Sequence, residues 1–213
     1  AAGMLEGLVR EHPDSADAKL MHGSALFVLG RAEEAAAALD AALRQSPDRP
    51  DLLCSMADAC THLKRWEDAE RMLERAGAID PHDANVHHKK ARLAIARERF
   101  EEGAEHALRA VELRHFFPEA HYTLGLALTW MKEYQHAIQS FKVALSMQPG
   151  MVDALRYIAS IYRHLDDRRS ARPFRDEAER LLKAREQGLA PDALRDPPMG
   201  PQDWSRRMGV SEA

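Results

Sequence analysis

The chain has 213 residues, of which 45% are apolar, 30% are charged and only 6% are aromatic. Abundant alanine with few aromatic residues indicates closely packed helices rather than the aromatic-rich core of a β-sandwich. No run of about 18 apolar residues occurs, so the sequence predicts no membrane-spanning helix. The net charge of −4 argues against a general nucleic-acid binder, which needs a basic surplus to neutralise phosphates.

The charge is distributed unevenly along the chain. Residues 1–83 hold 9 Lys and Arg against 16 Asp and Glu, a net −7, whereas residues 84–213 hold 21 against 18, a net +3. A partner would therefore meet an acidic part and a mildly basic part.

Cys54 and Cys60 point to different faces of one predicted helix and cannot bridge each other. They favour a reducing compartment, so we expect a cytoplasmic protein, with the periplasm left open because the chain begins inside a repeat.

A pair of helices recurs along the chain with a period of 34 residues. Each copy carries a closing proline, an alanine that opens the second helix and an alanine near the end of that helix. The three series are Pro13, Pro47, Pro81, His115 and Pro149; Ala35, Ala69, Gly103, Ala137 and Ala171; and Ala42, Ala76, Ala110, Ala144 and Ala178. One helix pair cannot bury its apolar face alone, so the period predicts a stack of repeats.

This pattern resembles the tetratricopeptide repeat family, in which small residues, an alanine opening the second helix and a proline at the repeat end recur at this period. The resemblance covers about residues 1–180. It implies an all-α fold, a right-handed α-solenoid of stacked antiparallel helix pairs. It says little about activity, because such an array is a scaffold.

In chain order, residues 1–15 match only the second half of a repeat. This indicates a chain cut from a longer protein, with a natural half-repeat cap as the alternative. Full repeats are expected at 16–49, 50–83, 84–117, 118–151 and 152–187, so we treat 1–187 as one array and 188–213 as a proline-rich tail. The apolar residues of the tail either cover the last repeat or belong to a disordered segment; they are Leu189, Leu194, Trp204 and Met208.

The third repeat, 84–117, matches the pattern least well. His87 and Lys90 stand where the family pattern implies large apolar residues, and Gly103 replaces an alanine. Glycine within a helix costs about 1 kcal/mol relative to alanine, so we predict that this repeat opens before its neighbours. Degeneracy of the repeat explains these residues, and polar groups placed for a ligand are the alternative.

The sequence contains no motif of a catalytic nucleophile, a phosphate-binding loop or a metal centre, so we expect no enzyme and no cofactor. The best histidine cluster is His87, His88, His115 and His121. Neighbouring residues on a helix point about 100° apart, and the next repeat lies too far away for ligands about 2 Å from one ion. We therefore predict no metal site.

The family resemblance implies a concave groove lined by the first helix of each repeat. The groove positions of the first two repeats are largely acidic or small and polar. Those of the last three repeats interleave cations with tyrosines, which suits an extended peptide with carboxylates and apolar anchors, although a solvated helix face is the alternative. The predicted partner-binding residues are Asn85, His88, Lys89, Arg92, Tyr122, Thr123, Leu126, Arg156, Tyr157, Ser160 and Arg163.

Some family members clamp a peptide carboxylate with Lys and Asn residues from three consecutive repeats. Only Asn85 and Lys89 match that pattern here, so we do not expect chaperone-tail recognition of this kind. The sequence predicts a protein-protein interaction scaffold that holds an extended peptide or a helix of another protein. The bound segment is expected to have acidic side chains. The alternative is a regulatory region of an enzyme whose catalytic domain lies before Ala1. RNA binding by a related 35-residue repeat is disfavoured by the period, the closing prolines and the charge.

Overall fold

The computed structural model describes residues 2–187, in which every regular element is an α-helix. The helices are α1 Ala2–Glu11, α2 Ala16–Val28, α3 Ala32–Leu43, α4 Pro50–His62, α5 Trp66–Ile79, α6 Ala84–Ala96, α7 Phe100–Leu113, α8 Pro118–Trp130, α9 Tyr134–Met147, α10 Val152–His164 and α11 Arg168–Glu186. The predicted tail, 188–213, lies outside the described residues. None of the described helices is long and apolar enough to cross a membrane.

The local sequence explains where the helices begin. Ser15 caps α2 by accepting a hydrogen bond from the Ala18 amide at 3.1 Å, and Asp83 caps α6 by accepting from the Asn85 amide at 2.7 Å. Pro50 and Pro118 occupy the first turns of α4 and α8, where a missing backbone N–H costs nothing. The first helix of each predicted full repeat begins at residue 16, 50, 84, 118 or 152.

A tight turn of one kind joins the two helices within each pair. Its key residue adopts the left-handed conformation, with φ of +77° at Gly30 and +58° to +64° at Lys64, Glu98, Lys132 and Asp166. The next amide then reaches back over the helix end, as when the Arg65 N–H donates to the Cys60 carbonyl at 2.8 Å. The turn geometry is thus common to all five pairs, although only one of them uses glycine.

The helices form two compact units, Ala1–Leu113 and Arg114–Ala213. The repeat period, from which a single array over residues 1–187 is expected, carries no signal of a division at residues 113 and 114. Each unit is built from antiparallel helix pairs, which confirms the all-α fold and the helix-pair architecture expected from the sequence.

Unit 1 contains α1–α7 and is held together by aliphatic side chains. Leu39, Leu53 and Leu73 are at most 1% exposed, and α4 packs against the neighbouring pair through this core. Gly103 of α7 is buried, and a Cβ added there would lie 2.8 Å from Ile95 Cγ1. This glycine therefore allows α6 and α7 to approach closely, a packing role that was not expected from its helix propensity.

Unit 2 contains α8–α11 within the described residues and has an aromatic core. Phe141 is fully buried and Phe174 is 1% exposed. A Cβ added at Gly125 would lie 2.7–2.9 Å from the ring of Phe141, so α8 needs a glycine where α9 places this ring. Leu155 and Ile158 of α10 complete the core against α9. Burial of this apolar surface provides the main stabilisation of the unit.

Candidate functional site

Four of the predicted binding residues lie on α6 in unit 1. Asn85 is half-buried at the start of the helix, and His88 is only 7% exposed. Lys89 and Arg92 both bind the carboxylate of Asp58 on α4, with Nζ–Oδ2 at 2.5 Å and Nη1–Oδ1 at 2.9 Å. The two cations therefore have an acidic partner within the same unit, and His88 contributes to the interior rather than to a surface.

Other ion pairs connect neighbouring repeats of unit 1. Arg49 contacts Asp17 at 2.7 Å and Asp51 at 2.5 Å, and its hydrogen bond holds the pKa of Asp51 below the usual range of an aspartate. Arg99 contacts Glu70 at 2.6 Å and lowers the pKa of that glutamate in the same way. Partly exposed pairs contribute little stability individually. Together they neutralise much of the charge on this unit.

Seven of the predicted binding residues lie on α8 and α10 in unit 2. Thr123 is only 3% exposed, and its hydroxyl donates to the Glu119 carbonyl at 2.8 Å, so it serves the helix interior. The remaining six side chains are exposed or half-buried. We call these six the tyrosine–arginine surface: Tyr122, Leu126, Arg156, Tyr157, Ser160 and Arg163.

The aromatic rings of this surface are fixed by the core beneath them. Tyr157 stacks on Phe141 with ring centroids 5.5 Å apart and an angle of 16° between the planes, and Tyr122 meets Tyr157 edge to face at 6.1 Å. Burial raises the pKa of the Tyr122 hydroxyl above its usual value, so it remains protonated and able to donate a hydrogen bond at neutral pH. The two rings are thus held in fixed orientations by the core and by each other.

The arginines of the tyrosine–arginine surface are less neutralised than the cations of unit 1. Arg156 lies 3.9 Å from Asp153, and both side chains are about two-thirds exposed. Arg163 is exposed and forms no salt bridge with any carboxylate in residues 2–187. A guanidinium in this state can form a bidentate hydrogen bond with a carboxylate from another molecule.

A groove of about 850 Å³ runs between α10 and α11. Its floor includes Ala159, Ala171 and Ala178, which are at most 6% exposed. Charged residues line its sides, five basic and three acidic: Arg156, Arg163, Arg168, Arg172 and Arg175, with Asp153, Asp166 and Glu179. We call this cavity the end groove. The α11 side was not predicted from the sequence, because the groove positions implied by the family resemblance lie only on the first helix of each repeat.

The histidines and cysteines form no metal centre within the described part of the chain, where no group of three or more potential ligands is found. His87 and His106 instead pack together in the seam between α6 and α7, with Nδ1 atoms 3.4 Å apart. Burial lowers the pKa of both rings, so they are largely neutral at pH 7. Burial also raises the pKa of the Cys54 thiol to about 12, which makes it a poor nucleophile.

Two sequence profiles of the tetratricopeptide repeat family match this chain. One matches residues 26–93, and the other matches residues 1–50 and 88–152. The chain belongs to the tetratricopeptide repeat family. It is 27% identical over 161 residues to tetratricopeptide repeat protein 13 of Homo sapiens. That match covers 73% of this chain but only 19% of the human protein, so the chain spans about a fifth of that relative.

Solved structures show the same fold. The crystal structure of MamA has a TM-score of 0.63 at 20% identity, covering 78% of this chain and 96% of that one. MamA 41-end from Desulfovibrio magneticus RS-1 gives 0.63 at 17% identity, covering 79% and 96%. YrrB, described as a tetratricopeptide repeat protein with an unusual peptide-binding site, gives 0.56 at 20% identity, covering 89% and 97%. At these identities the likeness concerns the fold alone.

Proposed function

We propose that this chain is a protein-protein interaction scaffold that binds an extended peptide or a helix of another protein through the tyrosine–arginine surface of unit 2. Membership of the tetratricopeptide repeat family supports the general role as a scaffold. The observation that carries the finer proposal is the placement of Arg156 and Arg163 beside two ordered tyrosine rings. The preferred ligand has carboxylates for the arginines and an apolar side chain for the rings.

The residues of unit 1 have a lesser part in this proposal. Lys89 and Arg92 would have to exchange Asp58 for a ligand carboxylate, so the net gain from binding an acidic peptide there is small. In unit 2 the ligand replaces water around exposed arginines and does not displace a buried ion pair. Charge-assisted hydrogen bonds of this kind contribute about 1.5–3 kcal/mol each.

The proposal is tested with peptides selected by display on the intact chain. Selected sequences should be rich in Asp and Glu around an apolar residue, and Arg156→Ala with Arg163→Ala should weaken their binding by about 1–3 kcal/mol per lost contact, measured by calorimetry. The fold should be unaffected, because both side chains face solvent. Replacing Glu by Gln in the peptide should cause a similar loss with the wild-type chain.

A matched control is Arg44→Ala with Arg71→Ala, since both are exposed arginines of unit 1, Arg44 directly after α3 and Arg71 on α5. This variant has the same net charge as the unit 2 variant and should bind the selected peptides normally. Equal binding by all three proteins would place the peptide site elsewhere. Equal losses in both variants would show a general effect of charge and would contradict a specific surface.

A further inference from the structure

The end groove occupies the face that earlier repeats cover with their next helix. In the first full repeat, Ala36, Leu39 and Leu43 on α3 are at most 9% exposed and share a core with residues of α4. The positions four periods later on α11 are Arg172, Arg175 and Glu179, which are all exposed. The α10–α11 pair thus presents a helix-sized groove whose sides are charged where those of the earlier repeat are apolar.

The fourth full repeat follows the same rule as the first. Ile138, Phe141 and Leu145 on α9 are at most 1% exposed, and Leu155 of α10 packs in the same core with no exposed surface. A following helix is therefore the element that this face receives within unit 2 as well. The end groove has this shape, and residues 2–187 contain no element that fills it.

The sequence after α11 begins like the first helix of another repeat. Four residues separate α5 from α6 and α9 from α10. Four residues after Glu186, the chain reads Pro-Asp-Ala-Leu-Arg at 191–195, which matches Val-Asp-Ala-Leu-Arg at 152–156 at four of five positions. It also has the proline and acidic residue that open α4 and α8. Pro197 and Pro198 follow, so any helix is limited to residues 191–196.

We propose that residues 191–196 dock in the end groove of the same chain, as the opening turns of an incomplete sixth repeat. The position of Leu194 in this motif is that of Leu53 in α4 and Leu155 in α10, both of which have no exposed surface. A segment that turns back after α11 runs over the last turns of that helix, where Leu182 is 38% exposed. Leu194 therefore packs against Leu182 at the edge of the end groove.

Charge favours the same occupant. The end groove carries five arginines against three acidic residues, whereas residues 191–196 carry Asp192 and Asp196 against Arg195. Arg156, Arg168, Arg172 and Arg175 each lie within 3.9 Å of a carboxylate, whereas Arg163 forms no salt bridge within residues 2–187. A short segment with two carboxylates therefore suits the remaining basic excess of this groove better than an apolar first helix. The end groove shares Arg156, Tyr157, Ser160 and Arg163 with the tyrosine–arginine surface. The inference does not rest on the proposed function, because docking of the segment is tested without any peptide.

Disulfide trapping in the full chain tests the docking. The natural Cys54 and Cys60 are buried with raised thiol pKa values, so they react slowly and do not interfere. Leu182→Cys with Leu194→Cys should form an intrachain disulfide at least about tenfold faster than a flexible tether of this length allows. The reference for that tether is Arg180→Cys with Leu194→Cys, because residue 180 lies about 200° around the helix from residue 182.

Equal rates for the two pairs would overturn the proposal. Disulfides that link two chains rather than one would also overturn it, since they would place the segment on a neighbouring molecule. A second measurement avoids the added cysteines: Leu194→Asp should speed amide exchange in residues 178–186 severalfold, whereas Leu189→Asp, which lies before the motif, should not. Unchanged exchange in both variants would likewise contradict docking.

Discussion

The two units use the same helix pair but satisfy their charged groups in different ways. In unit 1, acidic residues of one repeat bind basic residues of the next, as Asp58 does with Lys89 and Arg92. In unit 2, the position one period after Arg92 is Leu126, and Arg163 forms no salt bridge within the described residues. Ion pairs in unit 1 therefore join repeats, whereas Arg156, Arg172 and Arg175 in unit 2 pair with carboxylates on their own helices.

The largest expected effect comes from the cores of the two units. Phe141→Ala should destabilise unit 2 by about 3–5 kcal/mol and Leu73→Ala should destabilise unit 1 by about 2–5 kcal/mol, because each removes a side chain that is at most 1% exposed. Phe141 also supports Tyr157 and Tyr122, so Phe141→Ala should weaken acidic peptides as well. Urea unfolding and calorimetry at a temperature where both variants are folded measure the two effects. Equal peptide affinity for both variants would contradict the link between core and surface.

Asp58→Asn should leave Lys89 and Arg92 of unit 1 without their shared carboxylate, as Arg163 of unit 2 is without a salt bridge in the described residues. The change removes the shared carboxylate of Lys89 and Arg92, of which Lys89 is only 18% exposed, so we expect a loss of about 1–3 kcal/mol in stability. The two cations would then be able to bind carboxylates of a ligand, and a second, weaker peptide site should appear. Asp48→Asn is the control, since its side chain is 82% exposed and lies 3.6 Å from Arg75. Titration calorimetry that still fits one site would contradict this prediction.

Acidic pH should affect unit 1 through the His87–His106 pair. Burial lowers the pKa of both histidines in the folded chain, whereas the unfolded value is about 6.5. The unfolded state therefore takes up protons first, so stability is complete above pH 6.5 and declines as the pH falls from 6.5 toward the folded pKa values. Hydrogen exchange of residues 86–112, corrected for the intrinsic rate at each pH, should show this loss of protection.

The control for this pH dependence comes from the second repeat. His87→Leu with His106→Met introduces the residues found one period earlier, Leu53 and Met72. This variant should retain its protection in residues 86–112 at low pH. Burial also lowers the pKa of His121 in unit 2, so some pH dependence should persist there. An unchanged pH profile in residues 86–112 of the variant would show that the pair is not responsible.

The smallest expected effect concerns the turns. Lys132 has a φ of +64°, which costs a residue with a side chain about 1 kcal/mol or more but costs glycine little. Lys132→Gly should therefore raise the stability of unit 2 by about 0.5–1 kcal/mol in urea unfolding. Lys183→Gly in the last turns of α11 should instead lower it, by up to about 1 kcal/mol. If both substitutions destabilise the unit, relief of backbone strain at Lys132 is smaller than the entropy that glycine adds to the unfolded chain.

The fold was largely predictable because the same residue pattern recurs several times along the sequence. The starts of α4 and α8 follow from Pro50 and Pro118, and the 34-residue period relates them to the other first helices. The role of Gly103 was not predictable, since it depends on the distance to Ile95 in the folded seam. Whether residues 86–112 open before residues 120–146 stays a prediction, and the close approach at Gly103 works against it.

The candidate site was less predictable because side-chain direction and pairing decide it. A general rule of groove positions selected His88 and Thr123, which are buried. The pairing of Arg92 with Asp58 was predictable, since the two residues occupy equivalent positions one period apart. The charged sides of the end groove were predictable as well, because Arg172 and Arg175 replace residues that are apolar in the first and fourth repeats. Comparing equivalent positions for charge, and not only for apolar character, would have found both.

The ion pairs between repeats of unit 1 have a consequence for how cooperatively it unfolds. In a linear array, stability divides into the intrinsic stability of each repeat and the coupling between neighbours. The contacts of Asp58 with Lys89 and Arg92, and of Arg99 with Glu70, belong to the coupling. Added salt screens such pairs while leaving aliphatic contacts in place. At high ionic strength the repeats of unit 1 should therefore unfold over a wider range of denaturant, while the apolar coupling of α9 to α10 keeps unit 2 a single cooperative block.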